Sequence, residues 1–273
     1  MTTKRPRSIR RLPVVQPGAP VPARHRSLGI DTTDFDYLVT LAGNPNTGKS
    51  TVFNNLTGLR QHVGNWPGKT VARAEGGFEY EVKKYKLVDL PGTYSLLSAS
   101  TDEEIARDFI LFGQPDCTVI VVDATVLERN LNLALQILAI TNRAVLCLNL
   151  MDEAQRKGIR VNHETLAKDL GVPVIPTVAR TGHGMPELVQ AIAGVASGAI
   201  ESQPHRIRAS GPTARSVEDL AELIAEEYPG LPNARWVAMR LLEGDRRVEE
   251  AIQKGEFSDL VAEQLEPANA GHH

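Results

Sequence analysis

The stretch Gly43-Asn44-Pro45-Asn46-Thr47-Gly48-Lys49-Ser50 decides how this chain folds. It meets all four fixed positions of the pattern G-x-x-x-x-G-K-[ST], in which glycines let backbone N–H groups curl around phosphate oxygens. Ahead of it lies the apolar run Tyr37-Leu38-Val39-Thr40-Leu41-Ala42, which predicts a buried strand over 36–43. Behind it Thr51-Val52-Phe53-Asn54-Asn55-Leu56 continues as a helix to residue 57. Strand, glycine turn and helix form the context in which such a loop binds phosphate, since the helix start adds the positive end of its dipole. Lys49 is then placed to reach the β- and γ-phosphates of a nucleotide, and the Ser50 hydroxyl to ligate Mg²⁺. A glycine-rich turn that fits by chance is the competing reading, and the flanking strand and helix weigh against it.

Working outward, the next signal is Asp89-Leu90-Pro91-Gly92, about 40 residues on and at the end of the apolar strand Lys86-Leu87-Val88. Alone it is a turn signature. Downstream of a phosphate loop it places a carboxylate to hold Mg²⁺ through water, and a Gly92 N–H that can move toward a γ-phosphate. Between the two signals, residues 58–69 read as a long polar connection, a length that in a compact domain is functional or mobile. It ends at Thr70, before a strand over Val71-Ala72-Arg73-Ala74-Glu75, a turn at Gly76-Gly77 and a second strand from Tyr80 to Asp89.

Beyond Asp89, apolar strands and helices alternate. A helix is expected over 98–112, a strand from Cys117 to Val122, a helix over 126–140 and a strand from Ala144 to Leu148. A short helix over 163–171, a strand over 172–176 and a closing helix over 186–195 follow. This alternation predicts a mostly parallel sheet covered on both faces. The strand ending at Leu148 runs into Asn149-Leu150-Met151-Asp152. Asp152 can accept two hydrogen bonds from guanine N1–H and its 2-amino group, a donor pair that adenine lacks, while Asn149 fixes the loop. Strand-end capping by Asn and Asp is the plainer alternative. The backbone of the loop Val178-Ala179-Arg180-Thr181-Gly182-His183-Gly184 can reach the base from the other side.

Composition sets limits on what surrounds this core. Of 273 residues, 42% are hydrophobic and 23% charged, ordinary for a globular chain. No apolar run approaches the roughly 20 residues needed to span a bilayer. No apolar segment follows the basic start, so no secretory signal is expected. Cys117 and Cys147 sit inside apolar runs and read as core residues in a reducing compartment. The net charge of −3 does not favour nucleic acid, although residues 1–30 carry +7 of it and leave −10 on the rest. With five prolines, that start reads as a disordered basic tail over 1–35, either a solvated linker or a segment touching anionic lipid or nucleic acid. After a breaker-rich linker over 202–212 only helices are expected: 213–228, one capped by Asn233, one from Gly244-Asp245 and one over 258–265. The organisation expected is a tail over 1–35, a nucleotide domain over 36–201 and a helical domain over 202–273.

Taken in order, these segments resemble the Ras-like, translation-factor-related GTPases, and more narrowly the cytosolic part of the ferrous iron transporter B family. The specific elements are Gly43-Asn-Pro-Asn-Thr-Gly-Lys-Ser-Thr51, Val63-Gly-Asn-Trp-Pro-Gly-Lys-Thr70, Asp89-Leu-Pro-Gly-Thr-Tyr-Ser-Leu96, Asn149-Leu-Met-Asp152 and the helical stretch from Asn233 to Asp245. The fold implied is an α/β P-loop NTPase, a Ras-like G domain, followed by a small all-α domain that influences nucleotide release. The activity implied is Mg²⁺-dependent hydrolysis of GTP to GDP, with K⁺ as activator through Asn46. Thr70 would be the switch threonine that closes on Mg²⁺ and the γ-phosphate. The catalytic set implied is Lys49, Thr70, Gly92 and Asn46, and the Mg²⁺ set Ser50, Thr70 and Asp89. The nucleotide contacts implied are Asn46, Thr47, Gly48, Lys49, Ser50, Thr51, Gly68, Thr70, Asp89, Gly92, Asn149, Met151, Asp152, Val178, Ala179 and Arg180.

The resemblance also implies a polytopic membrane region that moves Fe²⁺, absent from this chain, which is then a piece of a longer protein or a shortened one. It places the unit at the cytoplasmic face of a bacterial inner membrane, with small accessory proteins and a homo-oligomer as possible partners. Three departures bear on chemistry. Thr93 stands where many relatives place a water-orienting Gln, Leu150 and Met151 replace the usual Lys stem beside the base, and Val178 stands where related loops carry Ser. The first favours a nucleotide-sensing module with little hydrolysis, and the second an NTPase that also uses ATP. Both stay open beside the GTPase reading.

Overall fold

β1 (Tyr37–Gly43) shows why the chain folds as layers. Leu38 and Ala42 are buried on one face, and Val39 and Leu41 on the other. A strand apolar on both sides belongs in the middle of a covered parallel sheet. In the computed structural model, which describes residues 25, 28–58, 61–97, 100–206, 212–231 and 233–265, β1 is the centre of seven strands. The others are β2 (Gln61–Asn65), β3 (Ala72–Tyr80), β4 (Lys83–Asp89), β5 (Cys117–Asp123), β6 (Ala144–Asn149) and β7 (Val174–Pro176). Their order is β2-β3-β4-β1-β5-β6-β7. The pairs β4–β1, β1–β5, β5–β6 and β6–β7 are parallel, and β2–β3 and β3–β4 antiparallel.

Helices α1 (Lys49–Thr57) and α6 (Met185–Ala196) cover one face, with Val52, Phe53, Leu56, Leu188 and Ile192 packed on Val39, Val119 and Val145. The other face carries α2 (Thr101–Gly113) and α3 (Leu127–Ile140), whose Phe109, Ile110, Leu133 and Ile137 pack on Val88, Ile120 and Leu146. Short α4 (Met151–Arg156) and α5 (His163–Leu170) lie in the β6–β7 connection. Beyond the sheet come α7 (Pro212–Glu227), α8 (Ala234–Leu242), α9 (Arg246–Gln253) and α10 (Glu256–Leu265), with no strand among the described residues. Both cysteines are buried. Burial raises their thiol pKa, to about 12 for Cys147 even though the Thr177 hydroxyl bonds to it.

The helical segment is joined to α2 by buried charge. Arg107 is fully buried and pairs with Asp108 at 3.0 Å and with Asp245 at 3.2 Å. Arg247 reaches Asp108 at 2.9 Å and Glu256 at 2.6 Å. Asp245 also caps α9, its Oδ1 accepting from the N–H groups of Arg247 and Val248. Phe112 and Phe257 meet beside this network with ring centroids 5.5 Å apart.

Four expectations are corrected here. Gly76-Gly77 is no turn: β3 runs straight through it, because the bare Gly77 backbone lets the Phe35 ring and the Tyr85 carbonyl approach to where a Cβ would stand. The reversal falls at Glu81-Val82 instead, with Glu81 at φ 47°. The polar connection over 58–69 is in part a strand, since β2 pairs with β3 from Gln61 opposite Gly76 to Asn65 opposite Ala72. Asn233 stands at the start of α8, but its side chain makes no cap bond there. Residues 28–35, expected within a disordered tail, lie against the fold, with Ile30 buried; residues 1–24, 26 and 27 fall outside the described ones.

Phe109 is buried completely and meets Trp66 edge to face at 5.4 Å. Phe109→Ala should cost about 3–5 kcal/mol in urea unfolding. Val82→Ala, at a site 97% exposed, should stay within about 0.5 kcal/mol of the parent.

Candidate nucleotide site

The phosphate loop crosses from the end of β1 into α1 on three left-handed backbone positions, Gly43 (φ 156°), Asn46 (φ 66°) and Gly48 (φ 84°). A side chain at Gly43 would collide with the Val121 carbonyl, and one at Gly48 with the Asn149 amide. Glycine is therefore required by contact as well as by φ. Thr47 ties the loop to itself, its hydroxyl donating to the Asn44 carbonyl at 2.9 Å. Asn46 is exposed at the loop tip.

Two long-range ties place the other sequence signals around this loop. Lys49 Nζ donates to Asp89 Oδ1 at 2.5 Å and to the Leu90 carbonyl at 2.6 Å, so the end of β4 sits beside the start of α1. Burial raises the Asp89 carboxyl pKa, while the Lys49 charge and hydrogen bond pull it back. Asn149, buried at the end of β6, makes the second tie. Its Nδ2 donates to the Thr47 carbonyl at 3.0 Å, and its Oδ1 accepts from the Ala179 N–H at 3.0 Å and the Thr177 hydroxyl at 3.2 Å. Asn149 thus links the phosphate loop to the loop after β7 and engages the Ala179 N–H.

Asp152 lies in the first turn of α4, 30% exposed, with Arg180 at 3.4 Å and Arg156 at 3.6 Å. Met151 donates its N–H to the Thr177 carbonyl at 3.3 Å, and Val178 bonds through its N–H to the His183 carbonyl. Gly92 packs against Pro45 of the phosphate loop. Thr93 is buried at 5% exposure, so its side chain is not presented to solvent water. Ser50 and Thr51 are exposed on the first turn of α1. Gly68 and Thr70 stand apart from these groups, exposed on the turn before β3.

Sequence reading missed two supports. Asn55 on α1 donates to the Ala179 carbonyl at 2.7 Å and clamps the loop after β7. Gln136 on α3 accepts from the Leu96 N–H at 2.7 Å and the Ser95 hydroxyl at 3.1 Å, holding the segment after Gly92. An amide inside an amphipathic helix is the only signal either gives.

Among the described residues no three or more His, Cys, Asp or Glu side chains gather to hold a metal. Ser50 and Asp89 are hard oxygen donors too few to cage an ion, which suits Mg²⁺, an ion that keeps several waters and shares phosphate oxygens. No helix among the described residues is long and apolar enough to cross a membrane. A separate groove of about 720 Å³, lined by residues such as Val126, Ile159 and Leu166, lies away from the phosphate loop.

This arrangement defines the class: a P-loop G domain on a mostly parallel sheet, followed by a small helical unit. The family model described as ferrous iron transport protein B matches residues 37–192, and that of the FeoB cytosolic helical domain matches 212–271. The chain belongs to the ferrous iron transporter B family. It is 43% identical over 211 residues to the Fe(2+) transporter FeoB of Salmonella typhimurium, covering 76% of this chain and 27% of that protein. The chain therefore spans about a quarter of the length of such relatives. The cytosolic domain of L. pneumophila FeoB superposes with a TM-score of 0.72 at 34% identity, over 85% of this chain and 90% of that one. The T. maritima cytosolic domain in a GDP form gives 0.71 at 32% identity, over 84% of this chain and 97% of that one.

The crowding at Gly48 gives a test. Gly48→Ala should lower the midpoint of thermal unfolding by forcing a Cβ onto the Asn149 amide. Asn149→Ala alone should also destabilise, by freeing the Thr47 carbonyl and the Ala179 N–H. The double variant should lose less than the two single losses added, because one of them removes the atom the other strikes.

Proposed function

We infer that this chain binds GTP and GDP and hydrolyses the γ-phosphate, as the nucleotide-responsive part of a ferrous iron transporter. The observation that carries this reading is the Asn149 carboxamide, which ties the phosphate loop to the base-side loop. A cradle for phosphate and a strand end that suits guanine thus share one joint.

Lys49 leaves Asp89 to meet the β- and γ-phosphates, and its charge opposes the negative charge that develops as the bond to the γ-phosphate lengthens. Ser50 and Asp89, with Thr70 brought in from the turn before β3, would hold Mg²⁺, which when bound neutralises phosphate charge. Gly92 offers its N–H to the γ-phosphate side. Asp152 accepts from guanine N1–H and the 2-amino group, and Arg180 at 3.4 Å aims its carboxylate. Val178, Ala179 and Arg180 would approach the base from the other side. Thr93 is buried, so in-line attack by water depends on positioning by backbone groups. Asn46, exposed at the loop tip, would hold K⁺, which when bound would supply the charge that an arginine finger supplies elsewhere.

Residues 36–201 would be the nucleotide domain, and 202–273 a helical domain acting on nucleotide release through α2. The chain would lie at the cytoplasmic face of the membrane, ahead of a polytopic region that moves Fe²⁺. Small accessory proteins and a second copy are candidate partners; nucleic acid is not. The buried Thr93 favours one second reading, a module that senses nucleotide and scarcely hydrolyses it.

Phosphate release from GTP, measured in K⁺ and in Na⁺, tests both. K⁺ should raise turnover by about 100-fold, the scale on which one group stabilising transition-state charge acts. Asn46→Ala should abolish that gain while GDP still binds. Turnover that is equally low in both salts would favour the sensing module. ATP should displace GTP only in large excess; displacement near parity would point to a broad NTPase. Lys49→Ala should abolish tight nucleotide binding.

A further inference from the structure

The lead-in to β1 lies outside the family match, which begins at residue 37, yet it is built into the fold. Ile30 is 2% exposed. His25 donates from Nε2 to the Gly113 carbonyl at the end of α2, and its Nδ1 meets the Thr32 hydroxyl, both at 3.2 Å. Arg73, the second residue of β3, grips this segment with two prongs: Nη1 donates to the Leu28 carbonyl at 3.0 Å and Nη2 to the Gly29 carbonyl at 2.9 Å. The same guanidinium lies 5.3 Å over the Trp66 ring. Gly29 takes φ 69°, and a Cβ there would press on Pro67 at 2.9 Å.

Trp66 and Pro67 open the tip of the β2–β3 hairpin. The Trp66 N–H donates to the Val71 carbonyl and the Lys69 N–H to the Trp66 carbonyl, both at 3.0 Å. Thr70 is exposed on this tip. Register puts the tip at the nucleotide edge of the sheet. Ala74 stands opposite Asp89 at the end of β4, and the hairpin pair Asn65–Ala72 lies two residues further out.

We propose that Arg73 is a positioning residue that straps residues 28–30 onto the hairpin tip and so restrains Thr70 from closing on a bound nucleotide. The proposal rests on the reading of Thr70 as the threonine that meets Mg²⁺ and the γ-phosphate. Two charge-assisted bonds in the planar guanidinium's fork geometry fix direction as well as distance. With the tip in this place, Pro67 occupies the space that a Cβ on Gly29 would need. Interactions made in one position of a segment and lost in the other bias the equilibrium toward the first. Closure of Thr70 must break them, and GDP, which lacks the γ-phosphate, gives no reason to.

The test uses the full chain with Arg73→Ala, Arg73→Lys and Gly29→Ala. Glu75 keeps Lys86 at 2.6 Å as its counter-charge, so the Arg73 variants leave no carboxylate stranded. Three quantities are measured: the Mg²⁺ concentration for half-maximal GTP turnover, the affinity for GDP, and amide hydrogen exchange over 62–71. Arg73→Ala and Gly29→Ala should lower the half-maximal Mg²⁺ by about fivefold, at the low end of typical coupling between sites, and speed exchange over 62–71. GDP affinity and exchange in β1 should not move. Arg73→Lys keeps the charge without the fork and should fall between parent and Arg73→Ala.

An unchanged Mg²⁺ requirement, or a parallel loss of GDP affinity, overturns the strap while leaving the nucleotide site standing. A parent chain that binds no GDP overturns both.

Discussion

One side-chain amide holds the site together. Asn149 leaves the central sheet at the end of β6 and uses its donor on the phosphate loop and its acceptor on the loop after β7. Buried polar groups demand partners, and here the partners fall in two different segments. The demand therefore becomes geometry: the two loops cannot drift apart without stranding a carbonyl or an N–H away from water. Gly48 is the complement of this bond, since the amide occupies the space a side chain would need.

Around that joint, charge is arranged with economy. Lys49 and Asp89 face each other across two segments, as Arg180 and Asp152 do across the ends of β6 and β7. The Lys49 pair is largely enclosed, so its attraction is little screened. The Arg180 pair lies open to solvent and aims a carboxylate more than it stabilises the fold.

Much of this was legible in the sequence, for a physical reason. Strands apolar on both faces and helices with one apolar stripe announce themselves by period, and the phosphate loop, Asp89 and Asn149 stand at strand ends where such periods stop. What escaped depends on contacts between distant segments. β2 is polar and short, and becomes a strand only because β3 offers an edge. Gly76-Gly77 has turn composition, yet the demand is for space beside Phe35 and Tyr85. Asn55 and Gln136 look like ordinary helix amides until the loops they hold are in place. Ile30 sits in a proline-rich, basic opening whose composition argues against order, and no local pattern marks it as core.

The partly buried cluster of Asp108, Asp245, Arg247 and Glu256 around the enclosed Arg107 carries a consequence of another kind. Two of its members lie on α2, and three on or at the start of α9 and α10, so neither half can change sign alone. A charge altered on one side leaves a group on the other with one counter-charge fewer, Arg107 being the one enclosed completely. The two units must then be inherited as a matched pair. A helical unit grafted from a distant relative would need its acids and arginine in the same register before it could dock on this sheet.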